Sequence, residues 1–314
     1  MAHQAELSMR DQAEALRRLV AQHGSRPLEL PAAAGRDGRP ALRRPQMVVV
    51  AGGKGGVGTT TVAVNMAVAT AQSGRRCLLV DVDGECGDVA LLTAVREKYT
   101  VADVLAQRRR LVKCLQCGPA GVKILAGAWG FERLSDYPPA AAEILIQQIL
   151  EMSAELELAI FDCGNSYSPM AERFWRAADA VLAVSSVEPA SILDTYSAIK
   201  RMYHRRWQTR LLSVVSMAPH KAAAEGVQER LREACHRFLG IVVTAAGTVF
   251  HDKAVAAANR SGVPVVLQSP HCQAARDIRA MAERLLSFAG SAAVGHEEEK
   301  EETEILKIRA VGSR

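Results

Sequence analysis

The segment VVVAGGKGGVGTTTVAVN, at residues 48–65, constrains the fold more than any other part of the chain. A run of apolar, β-branched residues leads into a glycine-rich stretch, and a helix-forming segment follows. In a strand–turn–helix unit of this kind, backbone N–H groups can surround phosphate oxygens, and the helix N-terminus adds its positive dipole end. The segment therefore predicts a phosphate-binding loop in an α/β fold. The alternative is a glycine turn that only connects a strand to a helix.

One residue of this loop departs from the usual pattern. Thr60 stands where the hydroxyl of G-x-x-x-x-G-K-[ST] binds magnesium, but Thr59 replaces the lysine before it. Losing this cation beside a triphosphate costs on the order of a few kcal/mol in binding or transition-state stabilisation. We nevertheless predict that the whole loop binds nucleotide, through Gly53, Lys54, Gly55, Gly56, Val57, Gly58, Thr59, Thr60 and Thr61.

The rest of the body alternates apolar runs with helical periodicity. Strands are predicted at 47–51, 76–82, 122–126, 157–161, 180–185, 211–217 and 241–246. Helices are predicted at 60–72, 140–154, 169–178, 191–206, 222–238, 252–260 and 271–288. Continuous apolar strands separated by helices indicate a doubly wound α/β fold, with a mostly parallel sheet and helices on both faces. Ligands of such sheets bind beyond the carboxyl ends of the strands.

Aspartates follow two of the predicted strands. RRCLLVDVDGECGDVALL carries Asp81 and Asp83, and LELAIFDCGNSYSP carries Asp162. An apolar strand that ends in aspartate presents a carboxylate to magnesium or to its waters. We therefore expect Thr60, Asp83 and Asp162 to hold the metal, with Asp83 orienting the attacking water. For any single aspartate, the alternative is a helix cap or a turn.

Segments outside the body differ in composition. Residues 1–22 predict a short amphipathic helix, and residues 23–45, with four prolines and three glycines, predict a flexible linker. The nucleotide-binding domain is expected at 46–290. The charged tail, 291–314, has too many glutamates to pack, although its last apolar residues leave peripheral membrane contact as an alternative.

Composition points to the cytoplasm. No run approaches the ~18 apolar residues of a membrane span, and the polar start is unlike a signal peptide. Seven scattered cysteines, an odd number, favour a reducing compartment. The net charge of +5 is too modest to predict a specific nucleic-acid partner.

The loop, with Lys54 ahead of its last glycines, resembles the deviant P-loops of the MinD/ParA-type ATPases. DQAEALR at 11–17 is similar to the activation motif of one branch of that family, the flagellar-number regulators (FlhG/FleN-like). EPASILDTYSAIKRM at 188–202 and GTVFHDKAVAAANRSGVPVV at 247–266 resemble later segments of the same branch. The resemblance implies ATP and Mg²⁺ as cofactors and a homodimer bridged by nucleotide, in which Lys54 reaches the partner subunit's nucleotide.

The resemblance also implies roles for other residues. Asp81 and Asp83 match the first acidic motif of the family, and Asp162 matches its Walker B position. Ser216 stands where the family often has an asparagine that contacts adenine. The N-terminal helix would stimulate a signal-recognition-type GTPase (FlhF-like) through Asp11, Gln12, Ala13, Leu16 and Arg17.

The function that follows is control of flagellar number or placement by ATP-dependent dimerisation, with weak hydrolysis in which Lys54 and Asp83 take part. A nucleotide-independent pseudo-ATPase scaffold, of the pilus- or polarity-localisation type, is the alternative. The CxxC pair Cys114 and Cys117 raises a third, an iron–sulfur carrier ATPase, although one mid-chain pair cannot complete a tetrahedral metal site.

Overall fold

The computed structural model describes residues 44–84, 87–128, 134–165, 167–203 and 209–291, with side chains up to 286. The predicted N-terminal helix, most of the linker, the partner-binding residues 11–17 and the charged tail lie outside the described residues. The predictions for those segments therefore stay predictions.

In the described ranges, eight strands form one sheet, in the order β3-β4-β2-β5-β1-β6-β7-β8. They are β1 (Gln46–Gly52), β2 (Cys77–Asp81), β3 (Gln116–Cys117), β4 (Lys123–Leu125), β5 (Leu158–Asp162), β6 (Ala180–Ser185), β7 (Arg210–Ala218) and β8 (Val243–Phe250). All neighbouring pairs are parallel except β3 with β4. The glycine-rich loop leaves β1 near the middle of the sheet, so both of its neighbours, β5 and β6, can contribute groups to it.

Helices cover both faces of the sheet. They are α1 (Thr59–Gln72), α2 (Asp88–Thr93), α3 (Val101–Leu105), α4 (Leu111–Cys114), α5 (Ala141–Glu151), α6 (Pro169–Ala177), α7 (Pro189–Met202), α8 (Lys221–Leu239), α9 (Lys253–Ser261), α10 (Val265–Gln268) and α11 (Gln273–Ser291). Among the residues described, no helix is long and apolar enough to cross a membrane.

Strand β1 shows why the central strands are mostly apolar. Val48 and Val50 pack on the face that carries α1 and α11, whereas Met47 and Val49 pack on the face that carries α5 and α6. Because successive side chains point to opposite faces, a strand that is covered on both sides has no polar position. The predicted fold class, a doubly wound and mostly parallel sheet, is confirmed.

The predicted elements are present, with shifted ends. The last strand, predicted at 241–246, runs from Val243 to Phe250, and the helix predicted at 191–206 begins at Pro189. Five elements were missed: β3, α2, α3, α4 and α10. Each has six residues or fewer, which is too short to show a period of its own.

Candidate nucleotide-binding site

The glycine-rich loop connects β1 to α1 at the carboxyl edge of the sheet. Gly56 and Gly58 have φ of +80° and +85°, which only glycine adopts without strain. Gly53 is required for a different reason: a Cβ there would lie 2.1 Å from the Thr195 nitrogen in α7. The loop is thus held against the neighbouring helix by contacts that leave no room for a side chain.

Helix α1 begins without a side-chain cap. Its N-cap is Gly58, and no acidic residue lies in its first turn. By contrast, the side chains of Ser168 and Asp252 cap α6 and α9. The first N–H groups of α1 are therefore free of a capping side chain, and together with the helix dipole they can bind an anion.

A cavity of about 520 Å³ opens over this helix N-terminus. Seven of the nine predicted loop residues line it: Lys54, Gly55, Gly56, Gly58, Thr59, Thr60 and Thr61. Asp83 and Ser216 line it as well. Cavities of this size hold small molecules such as nucleotides. Gly53, Val57, Asp81 and Asp162 do not line the cavity; the first two shape the loop, and the two aspartates lie beneath the surface.

Asp162 lies fully buried at the end of β5, beside Thr60. Its Oδ1 accepts a hydrogen bond from the Gly164 nitrogen at 3.2 Å, and its Oδ2 has no partner within the described structure. Burial raises the pKa of Asp162 to about 7, against the opposing effect of the nearby Thr60 hydroxyl. A buried carboxylate oxygen without a partner costs free energy unless a cation or water satisfies it.

This arrangement fits magnesium. A hydroxyl and carboxylates are the ligands that Mg²⁺ takes in phosphate-binding sites, where waters and phosphate oxygens complete the octahedron. In the described ranges, no group of three or more His, Cys, Asp or Glu side chains could hold a metal by itself, so a metal at this site would also need the Thr60 hydroxyl and oxygens of the nucleotide or water. The residues that fit the metal are therefore Thr60 and Asp162, with Asp83 on the cavity wall.

Asp81 and Asp83 have different surroundings although they are two residues apart. Asp81 is fully buried and accepts hydrogen bonds from the Asp83 and Val89 nitrogens at 3.2 and 3.3 Å. Burial raises its pKa well above the usual range, and the nearby Asp162 adds to the shift. Asp83 is buried but faces the cavity. Asp81 therefore holds the turn, and Asp83 is the carboxylate that can act on a ligand.

Lys54 is bound to its own chain. Its Nζ lies 2.7 Å from Glu188 Oε2, at the start of α7, and both side chains are exposed. The hydrogen bond and charge of Glu188 raise the pKa of Lys54. An exposed pair of this kind is weak, with an interaction of about 0.2–1 kcal/mol, so Lys54 can leave Glu188 for a stronger anion.

Thr59 and Ser216 are the two departures from the family pattern, and both are buried against the loop. A Cβ on Gly52 would lie 2.5 Å from the Thr59 hydroxyl, and a Cβ on Gly58 would lie 3.2 Å from the Ser216 hydroxyl. Both side chains are short and form part of the cavity wall. Neither reaches into the cavity as a lysine or an asparagine could.

The residues that line the cavity and that the sequence did not single out include Asn165, Phe250, Val255 and Asn259. Asn165 lies three residues after the last residue of β5, so the rule that ligands bind beyond strand ends could have found it. Asn259 Nδ2 donates to the Thr61 hydroxyl at 3.1 Å across 198 positions of sequence. No local pattern indicates a contact of that separation.

Cys114 and Cys117 do not share an environment. Cys114 is buried in the core, and burial raises its thiol pKa, whereas Cys117 is exposed on β3. A metal site that two copies share would need both thiolates at the surface. The structure therefore disfavours the iron–sulfur carrier alternative.

Comparison with known proteins agrees with this geometry. A family model described as an AAA domain matches residues 45–207. The chain is 32% identical to the antiactivator FleN of Pseudomonas aeruginosa over 243 residues, which are 77% of this chain and 87% of FleN. The chain belongs to the MinD/ParA-type P-loop proteins, in the branch of flagellar-number regulators.

This MinD/ParA-type chain is also similar to a second flagellar protein and to a solved MinD structure. It is 23% identical to the flagellum site-determining protein YlxH of Helicobacter pylori over 188 residues, 59% of this chain and 63% of YlxH. The solved structure of MinD from Pyrococcus horikoshii, complexed with Mg-ADP, superposes with a TM-score of 0.67 at 22% identity. That match covers 78% of this chain and 98% of the MinD chain, and it shows a shared fold.

Proposed function

We propose that this protein is an ATP-binding switch that controls the number or placement of flagella and dimerises when ATP is bound. The observation that carries the proposal is the cavity over the uncapped N-terminus of α1, with the partnerless Asp162 oxygen beneath Thr60. The identity with FleN, and the name of YlxH, support the flagellar part.

Magnesium would be held by Thr60, with Asp83 and Asp162 bonded to its waters. The ion supplies positive charge to the β- and γ-phosphates. Around it, Gly55, Gly56 and Gly58 would bind phosphate oxygens through their N–H groups. Because these donors and Thr60 are all retained, the loop can bind phosphate without the lysine that Thr59 replaces, although with lower affinity.

Dimerisation would give Lys54 a role on the partner subunit's triphosphate. Its contact with Glu188 is exposed and weak, so a triphosphate can compete for it. Hydrolysis, with Asp83 orienting the attacking water, is expected to be slow. Thr59 contributes no charge to the developing transition state, and Ser216 has less reach toward a base than asparagine.

Isothermal titration with ATP and magnesium tests the proposal. We expect heat of binding that disappears without magnesium, and a Thr60→Ala variant that binds with lower affinity because it loses the metal ligand. No heat at millimolar ATP with magnesium would leave the nucleotide-independent scaffold as the function. That alternative is favoured by the same two facts that weaken the site, Thr59 and the Lys54–Glu188 pair.

The partner proposal concerns the N-terminal segment. Asp11, Gln12, Ala13, Leu16 and Arg17 would bind and stimulate an FlhF-like GTPase. Deleting residues 1–22 is expected to abolish that stimulation in a GTP hydrolysis assay while leaving ATP affinity unchanged, since all the residues proposed to bind nucleotide lie outside the segment. A fall in ATP affinity on deletion would show that the segment belongs to the nucleotide site.

We further propose a cytoplasmic location, with membrane contact, if present, only peripheral. The apolar residues of the tail would make that contact, against repulsion between its glutamates and anionic lipid. Cosedimentation of the protein with anionic vesicles, compared with a variant truncated at Ser291, measures it. Equal sedimentation of the two proteins would exclude the tail as the contact.

A further inference from the structure

Asn165 lies in the candidate site, but it takes no part in the phosphate and magnesium contacts proposed for the loop, Thr60, Asp83 and Asp162. It follows Gly164 in the turn after β5 and lines the cavity with Lys54 and Gly55. Its Nδ2 lies 3.3 Å from the position a Cβ on Gly55 would take, which places the amide against the phosphate loop. Within the described parts of the chain, no hydrogen bond engages this amide. It is a donor available to a ligand.

The residues that line the cavity come from both sides of β1, since the sheet runs in the order β2-β5-β1-β6-β7-β8. On one side, Ser216 of β7 lies with Val249 and Phe250 of β8 and with Val255 and Ala256 of α9. On the other side, Asp83 follows β2, and Gly164 and Asn165 follow β5. A flat, largely apolar base fits the first side. With the inner phosphates on the loop, the terminal phosphate then lies on the second side, beside Asn165.

The protein's own charge on the second side is unfavourable for a phosphate, so positive charge there would come from the magnesium ion of the proposed function. Asp83 lines it and Asp162 lies beneath it, while Thr59 supplies no ammonium and Lys54 is bound to Glu188. A side-chain amide is a neutral hydrogen-bond donor, so it can bind a phosphate oxygen without adding negative charge to the site. A hydrogen bond to an ionised acceptor is also stronger than one between neutral groups.

We propose that the Asn165 amide donates a hydrogen bond to the terminal phosphate of ATP, and that the preference of this protein for ATP over ADP depends on it. The proposal rests on the proposed function, in which the cavity binds ATP. In phosphate-binding loops of the G-x-x-x-x-G-K-[ST] pattern, a lysine of the loop contacts the phosphates. Here a neutral side chain from the turn after β5 would make part of that contact.

The test compares two nucleotides. Isothermal titration with ADP and with a non-hydrolysable ATP analogue, both with magnesium, measures Kd for the wild type and for Asn165→Ala. We expect Kd for the ATP analogue to rise about tenfold, the loss typical of a hydrogen bond to a charged group, and Kd for ADP to change less than about twofold. A merely structural role would change both affinities together.

Two further variants sharpen the comparison. Asn165→Asp keeps the shape but adds a negative charge, so it is expected to weaken ATP binding more than alanine does and ADP binding little. Asn259→Ala removes an amide from the same cavity on the Thr61 side, and it is expected to change both affinities by the same factor. Thermal melts show whether each variant is folded. If Asn165→Ala is unfolded, the ATP and ADP affinities of the isosteric Asn165→Asp variant test the proposal.

Each outcome supports or overturns the inference. An equal loss for both nucleotides in the Asn165 variants would overturn it and leave the proposed function intact, as would unchanged affinities. A wild-type protein that binds neither nucleotide would overturn both.

Discussion

Gly53 lies where the phosphate loop passes against α7, and a Cβ there would approach the Thr195 nitrogen to 2.1 Å. The clash is with the backbone of a packed helix, which cannot move aside as the end of a flexible side chain can. Gly226, inside α8, has nothing within 4 Å of the corresponding position. The same chemical change at these two glycines should therefore have opposite effects on stability.

Gly53→Ala is expected to lower the free energy of unfolding by about 2–3 kcal/mol, because the loop or α7 must shift. Gly226→Ala is expected to raise it by about 0.5–1 kcal/mol, since alanine suits a helix interior better than glycine. Urea denaturation measures both. A Gly53→Ala protein as stable as the wild type would mean that the loop is not packed on α7 as described.

Thr59 defines a second residue-scale prediction. Thr59→Lys restores the in-loop ammonium and is expected to tighten ATP binding about tenfold and to raise turnover. Thr59→Met, which has comparable length but no charge, is the matched control and should bring neither gain. Isothermal titration and phosphate release measure the two effects. Equal gains from methionine would attribute them to packing, and no turnover in the lysine variant would mean that other catalytic groups are missing.

At the scale of elements, strand ends determine the site. The phosphate loop follows β1, Asp81 ends β2 and Asp162 ends β5, so all three lie at the carboxyl edge of the sheet. At the opposite edge, Glu157 links the starts of β2 and β5. Glu157 accepts a hydrogen bond from the Arg76 nitrogen at 3.0 Å and one from Arg75 Nη1 at 2.9 Å. These contacts fix the register of β2 against β5, and with it the relative position of the aspartates at the other end.

Glu157→Gln is expected to destabilise the protein by about 1 kcal/mol at pH 7. The Arg76 N–H bond, followed by the two arginine charges, lowers the pKa of Glu157 in the folded state. A lowered folded pKa means that the stabilisation is present above the unfolded pKa and is lost as pH falls through the folded one. The difference between variant and wild type should therefore shrink below about pH 4.

Urea denaturation at pH 7 and near pH 3.5 checks the Glu157 prediction. Glu155→Gln is the control, since Glu155 pairs with Lys123 at 2.7 Å but is more exposed, and no measurable change is expected from it. If the difference in free energy of unfolding between Glu157→Gln and the wild type stayed constant with pH, the effect would come from the shape of the side chain and not from its charge.

At the scale of the whole molecule, the order of the sheet gives the loop its position. Strand β1 lies between β5 and β6, and the chain crosses to one side of it for β2 and to the other for β6. A parallel sheet opens a crevice at such a switch point. The loop therefore lies at the surface, where Lys54 is exposed and close to Glu188. A second copy that approaches this edge could receive Lys54 only if Glu188 released it.

Glu188→Gln is expected to raise the proportion of ATP-bound dimer two- to fivefold, which corresponds to removing an exposed ion pair. Lys54→Ala is expected to prevent dimerisation. Size-exclusion chromatography with light scattering, with a non-hydrolysable ATP analogue and magnesium, measures both. Glu155→Gln, which breaks a Lys–Glu pair of the same 2.7 Å length, should leave the dimer unchanged. A Glu188→Gln protein that dimerises less would mean that Glu188 contributes to the interface.

The sequence by itself determined the fold class, the longer elements and the loop. Each of these follows from local information: an apolar run that needs cover on both faces, a helical period, or glycines placed between a strand and a helix. Asp83 and Asp162 were also found from their positions at strand ends, and both lie around the loop.

Only the tertiary structure decided which of these residues face a ligand. It placed Asp81 in hydrogen bonds to its own turn, paired Lys54 with Glu188, and brought Asn165 and Asn259 to the cavity. Such contacts join residues 134 and 198 positions apart in the Lys54–Glu188 and Thr61–Asn259 pairs. These contacts depend on the order of the strands in the sheet and on the direction in which each side chain points from its turn. A local sequence pattern encodes neither of these.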